Sequence, residues 1–131
     1  MVVVDATVVV AALVDMGPDG RWAEGVLSSG PLAAPHLMPA EVANILRRLA
    51  PAGEIADAAA SAACDDLMDL RVELFPWLPF ARRAWSLRRN VTAYDGWYVA
   101  LAEELDAPLV TLDLRLARST GPTCRFRVPE V

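Results

Sequence analysis

A chain of 131 residues with 55% hydrophobic and 22% charged residues has the size and composition of one folded domain, residues 1–131, and not of a disordered protein. The net charge of −5 excludes a generic polyanion-binding protein, although all twelve basic residues are arginine and lysine is missing from the sequence. The longest apolar run, Val8 to Val14, is too short to span a bilayer, and Asp5 with no basic residue before it argues against a signal peptide.

The N-terminal half predicts two strands, each followed by helices. Val2 to Val4 is a β-branched run typical of a strand that is buried on both faces. The predicted elements after it are a helix at 7–14, a loop at 16–20, a short helix at 21–27, a strand at 32–34, a helix from Pro39 to Leu49 and an Ala-rich helix at 54–70. Cys64 in the last of these and Cys124 lack metal-type spacing and favour a reducing cytoplasm, with a disulfide as the open alternative.

The C-terminal half continues the alternation. Its predicted elements are a strand at 72–75, an arginine-bearing helix at 80–89, a helix that begins near Thr92 and ends before Pro108, a strand at 109–112, an arginine-containing turn at 114–119 and a last strand at 125–128. Thr92 with Asp95 three residues later is typical of an N-terminal capping box. Alternating strands and helices predict an α/β fold: a single domain with a central parallel sheet flanked by helices on both faces.

Four acidic residues lie at positions that this fold brings to one edge of the sheet. Asp5 and Asp113 end predicted strands, whereas Glu41 and Asp95 open predicted helices, and these positions share the carboxyl edge of a parallel sheet. Each acid has a structural alternative as a helix cap, a favourable partner of a helix N-terminus or a turn residue. Together, however, they would repel one another without a cation, and oxygen ligands alone favour Mg²⁺ or Mn²⁺.

The same residues resemble a known family, the PIN-domain nucleases. The resemblance rests on Val-Val-Asp-Ala-Thr ending at Thr7, Pro-Ala-Glu-Val-Ala-Asn ending at Asn44, Thr-Ala-Tyr-Asp-Gly-Trp-Tyr from Thr92, and Val-Thr-Leu-Asp ending at Asp113. Length and motif order are most similar to the VapC-type toxins of bacterial toxin–antitoxin pairs, over nearly the whole chain. One place departs from the pattern: Arg115 stands where related toxins often have a further acid, which implies that a second metal is bound weakly or only with substrate.

The resemblance implies a metal-dependent endoribonuclease that hydrolyses phosphodiester bonds with a metal-activated water. Its catalytic and metal-binding residues would be Asp5, Glu41, Asp95 and Asp113, with Mg²⁺ as the cofactor and Mn²⁺ as a substitute. Groups that would support these ligands are Thr7, Asn44 and Thr111. The arginines expected to hold RNA phosphates are Arg47, Arg82, Arg83, Arg89 and Arg115, for which the alternative is an ordinary solvated helix face. Because the protein is acidic, we expect it to recognise a structured RNA, such as tRNA or rRNA, through its shape.

The resemblance also implies partners. VapC-type toxins are usually homodimers that a cognate VapB-type antitoxin holds inactive in the cytoplasm, and no membrane is involved. The Ala-rich helix at 54–70 and the helix from Pro39 to Leu49 are the predicted walls of the antitoxin groove. The apolar segment Leu74 to Phe80 is predicted either as dimer surface or as ordinary core.

Two other functions compete with this interpretation. A Mg²⁺-dependent phosphotransfer domain of the receiver or dehalogenase type also begins with a strand that ends in Asp, but such domains depend on a lysine and this chain has none. A catalytically silent scaffold that only binds a partner protein is the second alternative. The acids at all four places count against it, and metal-dependent cleavage of RNA would decide.

Overall fold

A computed structural model describes residues 1–130 of the chain. The strands are β1 (Val2–Val4), β2 (Leu32–Pro35), β3 (Glu73–Phe75), β4 (Leu109–Val110) and β5 (Phe126–Arg127). The helices are α1 (Ala6–Val14), α2 (Pro18–Leu27), α3 (Met38–Leu49), α4 (Asp57–Asp69), α5 (Ala81–Ser86), α6 (Ala93–Leu105) and α7 (Leu114–Ala117). A 3-10 turn, Leu78–Phe80, precedes α5.

The five strands form one sheet in the order β3-β2-β1-β4-β5, and every neighbouring pair is parallel. Strands β1, β2 and β4 are completely buried, which explains their apolar composition. The chain moves outward from β1 to β2 and β3, then returns to β4 on the other side of β1. The winding therefore reverses between the neighbouring strands β1 and β4. In parallel sheets, ligands bind beside the carboxyl ends of the strands where this reversal occurs.

The helices cover both faces of the sheet, as the sequence predicted. Helix α1 packs against α2, α3 and α4, whereas α6 packs against α5 and against β1, β2 and β4. Right-handed crossovers place these two groups on opposite faces, because the winding direction reverses between them. The carboxyl edge at β1 and β4 is thus enclosed by helices from both layers.

Three predicted helix boundaries were wrong by three residues. Helix α4 begins at Asp57 and not at residue 54, because the backbone N–H groups of Gly53 and Glu54 bond back to the end of α3. Helix α2 begins at Pro18 and not at residue 21, because Pro18 fits the first helical turn and Gly20 packs where a Cβ would lie 1.7 Å from the carbonyl oxygen of Asp15. The predicted helix at 80–89 ends at Ser86, after which the backbone N–H groups of Leu87 and Arg88 bond three residues back in tight turns.

The apolar segment Leu74 to Phe80 is partly buried in the core and partly exposed. Phe80 is buried against Phe75, and Trp77 packs edge-to-face on Trp97 with ring centroids 5.4 Å apart, whereas Leu78 is exposed. Cys64 and Cys124 are both free thiols. In residues 1–130, every helix is too short or too polar to cross a membrane.

Candidate active site

Asp5 is the buried centre of the site. It follows β1 directly and is only 6% exposed. Its carboxylate accepts hydrogen bonds from the backbone N–H of Val8 and from the hydroxyls of Thr7, at 2.5 Å, and Thr111. Asp5 is therefore the N-cap of α1, as its structural alternative proposed, but a cap does not require burial or two hydroxyl donors.

Thr7 and Thr111 join β1 to the end of β4. Besides donating to Asp5, the Thr7 hydroxyl accepts from the backbone N–H of Leu112 at 3.1 Å, and the Thr111 hydroxyl accepts from that of Asp113 at 2.9 Å. Each hydroxyl thus links the Asp5 carboxylate to the backbone that carries Asp113. The structure places both residues where the supporting groups were predicted.

Glu41 is held by a residue that the motif reasoning did not assign to the site. The hydroxyl of Tyr98 on α6 donates to Oε1 of Glu41 on α3 at 2.9 Å, across 57 residues of sequence. Tyr98 was predicted only as part of the apolar stripe of its helix, and it is indeed 2% exposed. A tyrosine in an otherwise aliphatic stripe was the available signal, because a buried phenol needs a hydrogen-bond partner.

Asp95 and Asp113 complete the group of acids. Asp95 lies in the first turn of α6, where the Thr92 hydroxyl accepts from the backbone N–H of Asp95 at 3.1 Å. Asp113 caps α7 by accepting from the backbone N–H groups of Arg115 and Leu116. The predicted arginine-containing turn is therefore a short helix, and it begins because Asp113 satisfies its free N–H groups.

The charges of the four carboxylates act on one another. Burial raises the pKa of Asp5, and although the Thr111 and Thr7 hydroxyls oppose this, the charge of Asp95 raises it further. Burial also raises the pKa of Glu41; the Tyr98 hydrogen bond opposes this, and the charges of Asp95 and Asp5 raise it further. Burial and the charge of Asp113 raise the pKa of Asp95. Asp95 interacts with all three other acids and is the electrostatic centre of the site.

The donor set suits a hard divalent cation. Neither ion pair found in residues 1–130, Arg83–Glu103 and Arg125–Asp106, involves any of the four acids. Asp5, Glu41 and Asp95, whose pKa values are raised and which have no compensating cation, have the chemistry of an oxygen-ligand metal site. Over the same residues, no three acidic, histidine or cysteine side chains stand close enough together to hold a metal ion, so the fit to a cation lies in the chemistry of the ligands and not in their spacing.

The other predicted residues divide between the site and its surroundings. Arg89 and Arg115 line a cavity together with Asp95 and Asp113. Arg83 binds Glu103 instead, through its Nε atom at 2.7 Å. On α3, the Asn44 side chain is exposed and accepts from Nε of Arg47 at 3.0 Å, and Arg82 is exposed on α5.

Comparison with known proteins agrees with the fold. The family model of the PIN domain matches residues 2–121. Ribonuclease VapC1 of Mycobacterium tuberculosis is 43% identical over 127 residues, which are 96% of each chain.

Two solved structures share the fold. The structure of PAE2754 from Pyrobaculum aerophilum superimposes with a TM-score of 0.68 at 28% identity, covering 94% of this chain and 87% of that one. A member of the VapBC family of toxin–antitoxin systems, VapBC-5 from Mycobacterium tuberculosis, gives a TM-score of 0.60 at 21% identity and covers 99% and 98% of the two chains. The chain therefore belongs to the PIN domain family, within its VapC branch.

Proposed function

We propose that the protein is a Mg²⁺- or Mn²⁺-dependent endoribonuclease, the toxin of a toxin–antitoxin pair. The observation that carries the proposal is the position of Asp95, whose charge interacts with Asp5, Glu41 and Asp113 at the point where the sheet winding reverses. The name of the relative VapC1 supports a ribonuclease in particular.

The residues of the chain would act mainly by holding ligands. Asp5, Glu41, Asp95 and Asp113 would bind the cation, which when bound lowers the pKa of water and stabilises charge on the scissile phosphate. Thr7 and Thr111 fix both oxygens of the Asp5 carboxylate, so that its lone pairs keep one orientation. Tyr98 occupies one oxygen of Glu41 and leaves the other free to face the site. The attacking group would be water, since the motifs of side-chain nucleophiles are missing from the sequence.

The partner we propose is a VapB-type antitoxin. A groove of about 410 Å³ runs between α3 and α4 and is lined mostly by small and apolar side chains, among them Ala43, Leu46 and Ala60, with the charged Arg47 and Asp57 also in its wall. Small side chains allow another helix to approach closely, so this groove suits an apolar antitoxin segment. The likeness to a VapBC family member supports such a partner. We further propose a homodimer, to which the exposed Leu78 would contribute.

The test is cleavage of bacterial tRNA and rRNA by purified protein with Mg²⁺, Mn²⁺ or EDTA. We expect cleavage with either metal and none in EDTA. Asp95→Asn and Asp5→Asn should lose at least about a hundredfold in rate, because each removes a ligand charge. Glu104→Gln is the matched control, since Glu104 is exposed in the last turn of α6 and its substitution removes the same charge. Folded Asp95→Asn that cleaves as fast as the parent would refute the assignment.

Specificity has its own expected result. A structured RNA with an unpaired loop should be cleaved at discrete positions, and a homopolymer much more slowly, because the net charge of −5 disfavours binding to arbitrary RNA. Equal rates on both substrates would contradict shape-dependent recognition.

A further inference from the structure

A basic cleft opens beside the acids. One cavity of about 340 Å³ is lined by Asp95, Asp113, Arg88, Arg89 and Arg115 among others. A second cavity of about 590 Å³ shares Arg89 and Arg115 with the first and extends to Arg118. We call the two cavities together the arginine cleft. It leads away from the acids along α7.

Three of the four arginines of the cleft are unpaired; the fourth, Arg88, donates to the carbonyl oxygen of Trp85 at 3.2 Å. The first cavity also contains Asp95 and Asp113. Even so, neither ion pair in residues 1–130 includes Arg89, Arg115 or Arg118, and their guanidinium groups donate no hydrogen bond to any of these residues. Cations that lie beside carboxylates without pairing remain available for another anion. The planar fork of a guanidinium fits the oxygens of a phosphate.

An aromatic surface adjoins the cleft. The indole of Trp85 at the end of α5 is 63% exposed, and the guanidinium carbon of Arg88 lies 4.6 Å from its ring centroid. Arg88 also lines the cavity with Asp95, so it connects the indole to the cleft. Phosphate-binding arginines beside an exposed aromatic ring are typical of sites for single-stranded nucleic acid, whose unpaired bases can stack.

The far wall of the cleft, Ser119 and Thr120, continues into Gly121, which is held in place by its contacts. Gly121 has φ +107° and lies so close to the α5–α6 connection that a Cβ would be 3.0 Å from Nδ2 of Asn90 and 3.1 Å from Cδ2 of Leu87. Its carbonyl oxygen accepts from Nη2 of Arg83 at 3.0 Å. The segment that follows Arg118 is thus held against the chain that carries Arg88 and Arg89, and the cleft has a defined width.

We propose that a single-stranded segment of RNA lies in the arginine cleft on one flank of the scissile bond. Arg89, Arg115 and Arg118 bind successive backbone phosphates, and a base stacks on Trp85. The inference rests on the proposed endoribonuclease function, since the cleft would hold the substrate of that site. The cleft contains Arg118 beside Arg89 and Arg115, two of the arginines expected from the sequence to hold RNA phosphates.

The test measures binding of a fluorescein-labelled twelve-nucleotide oligouridylate by anisotropy, in EDTA, from 20 to 200 mM salt. Each phosphate neutralised on a single strand contributes about −0.7 to the slope of log K against log salt. The triple variant Arg89→Gln, Arg115→Gln, Arg118→Gln should therefore have a slope about 2 units shallower than the parent. Trp85→Leu should weaken binding about fivefold or more with no change of slope, because stacking releases no counterions.

The matched control is a triple variant at Arg48, Arg71 and Arg127, all changed to Gln. These arginines are exposed and lie outside the cleft, so the net charge falls equally while the slope should remain that of the parent. Both triple variants should melt within a few degrees of the parent, since neither removes a buried contact.

Four results would overturn the inference. Three of them are equal slopes for the parent and the cleft variant, an equal change of slope in the control variant, and no binding by the parent at 20 mM salt. Binding of a twelve-base-pair RNA duplex as tightly as the single strand would also contradict it. Cleavage with Mn²⁺ separates the two proposals: a protein that binds as expected but never cleaves refutes the nuclease alone, whereas one that cleaves with unchanged slopes refutes the cleft alone.

Discussion

Glu103 is the acid on which we expect the fold to depend most. Its carboxylate accepts from Arg83 at 2.7 and 3.0 Å, and from the backbone N–H and hydroxyl of Thr123 at 2.7 and 2.8 Å. Arg83 belongs to α5, Glu103 to α6 and Thr123 to the segment before β5. One side chain that is 15% exposed therefore joins three parts of the chain, including the far wall of the arginine cleft.

Glu103→Gln keeps the shape of the side chain and removes its charge. Hydrogen bonds to a charged group contribute about 1.5–3 kcal/mol each in general, but Arg83 is 40% exposed and solvent weakens its share. We expect a net loss of about 2 kcal/mol in the free energy of unfolding. For a domain of this size that corresponds to a fall in Tm of roughly 6–10 °C.

The pH dependence gives the prediction a second part. Burial alone would raise the pKa of Glu103, but the hydrogen bonds from Arg83 and Thr123 outweigh it and hold the pKa below its ordinary value of 4.5. The folded protein thus binds fewer protons at this site than the unfolded chain. The stabilisation is present above pH 4.5 and is lost as the pH falls through the lowered pKa.

Thermal melting followed by circular dichroism measures both parts. Glu104→Gln is the control, because Glu104 is exposed and carries the same charge. At pH 7 we expect Glu103→Gln to melt well below the parent and Glu104→Gln close to it, and the difference should shrink in acid. Equal melting of the two variants at pH 7, or a difference that is unchanged below pH 4, would refute the reasoning.

Two further predictions concern α6 and α2. Asp95→Asn should raise Tm in EDTA, because it removes the charge that raises the pKa values of Asp5 and Glu41. It should also reduce the gain in stability on adding Mn²⁺, which for the parent is about 2.7 kcal/mol at a hundredfold excess over Kd. Because the pKa of Asp95 is raised in the folded state, the metal-free parent should also become more stable as the pH falls from 7 towards 4. The variant should gain less stability over the same range. A parent indifferent to metal and a variant no more stable in EDTA would count against one crowded site. Gly96→Ala should destabilise the fold by about 1–3 kcal/mol, since the new Cβ would lie 2.9 Å from the carbonyl oxygen of Ala84. Gly25 faces open space in α2, so Gly25→Ala should stabilise the fold by about 0.5–1 kcal/mol. Equal Tm values for the two variants would contradict this.

The sequence predicted those parts of the fold that depend on local patterns. The β-branched run of β1, the capping residues Thr92 and Asp95, and Pro108 after α6 all report on their own neighbourhood, and the corresponding elements were confirmed. The parallel sheet was confirmed as well, because an alternation of strands and helices has few other solutions. Helix ends were less accurate, since Gly20 and Ser86 depend on packing that a sequence pattern does not contain.

The sequence revealed the acids but not the groups that orient them. The bond from Tyr98 to Glu41 spans 57 residues and that from Arg83 to Glu103 spans 20, and neither pair has a spacing that local rules connect. Similarly, the arginines near the acids could not be separated from those on solvated faces until α5, α6 and α7 were placed. The assignment of the four acids as metal ligands stays a prediction.

Direct binding of Mn²⁺ tests that assignment most simply. In a calorimetric titration at neutral pH, we expect the parent protein and Glu104→Gln to bind Mn²⁺ saturably, with at least one ion per chain. Asp95→Asn should bind it much more weakly, because Asp95 is the acid that interacts with the other three. Absence of saturable binding to the parent, or equal affinity in parent and Asp95→Asn, would contradict the claim that these four carboxylates form a metal-dependent active site.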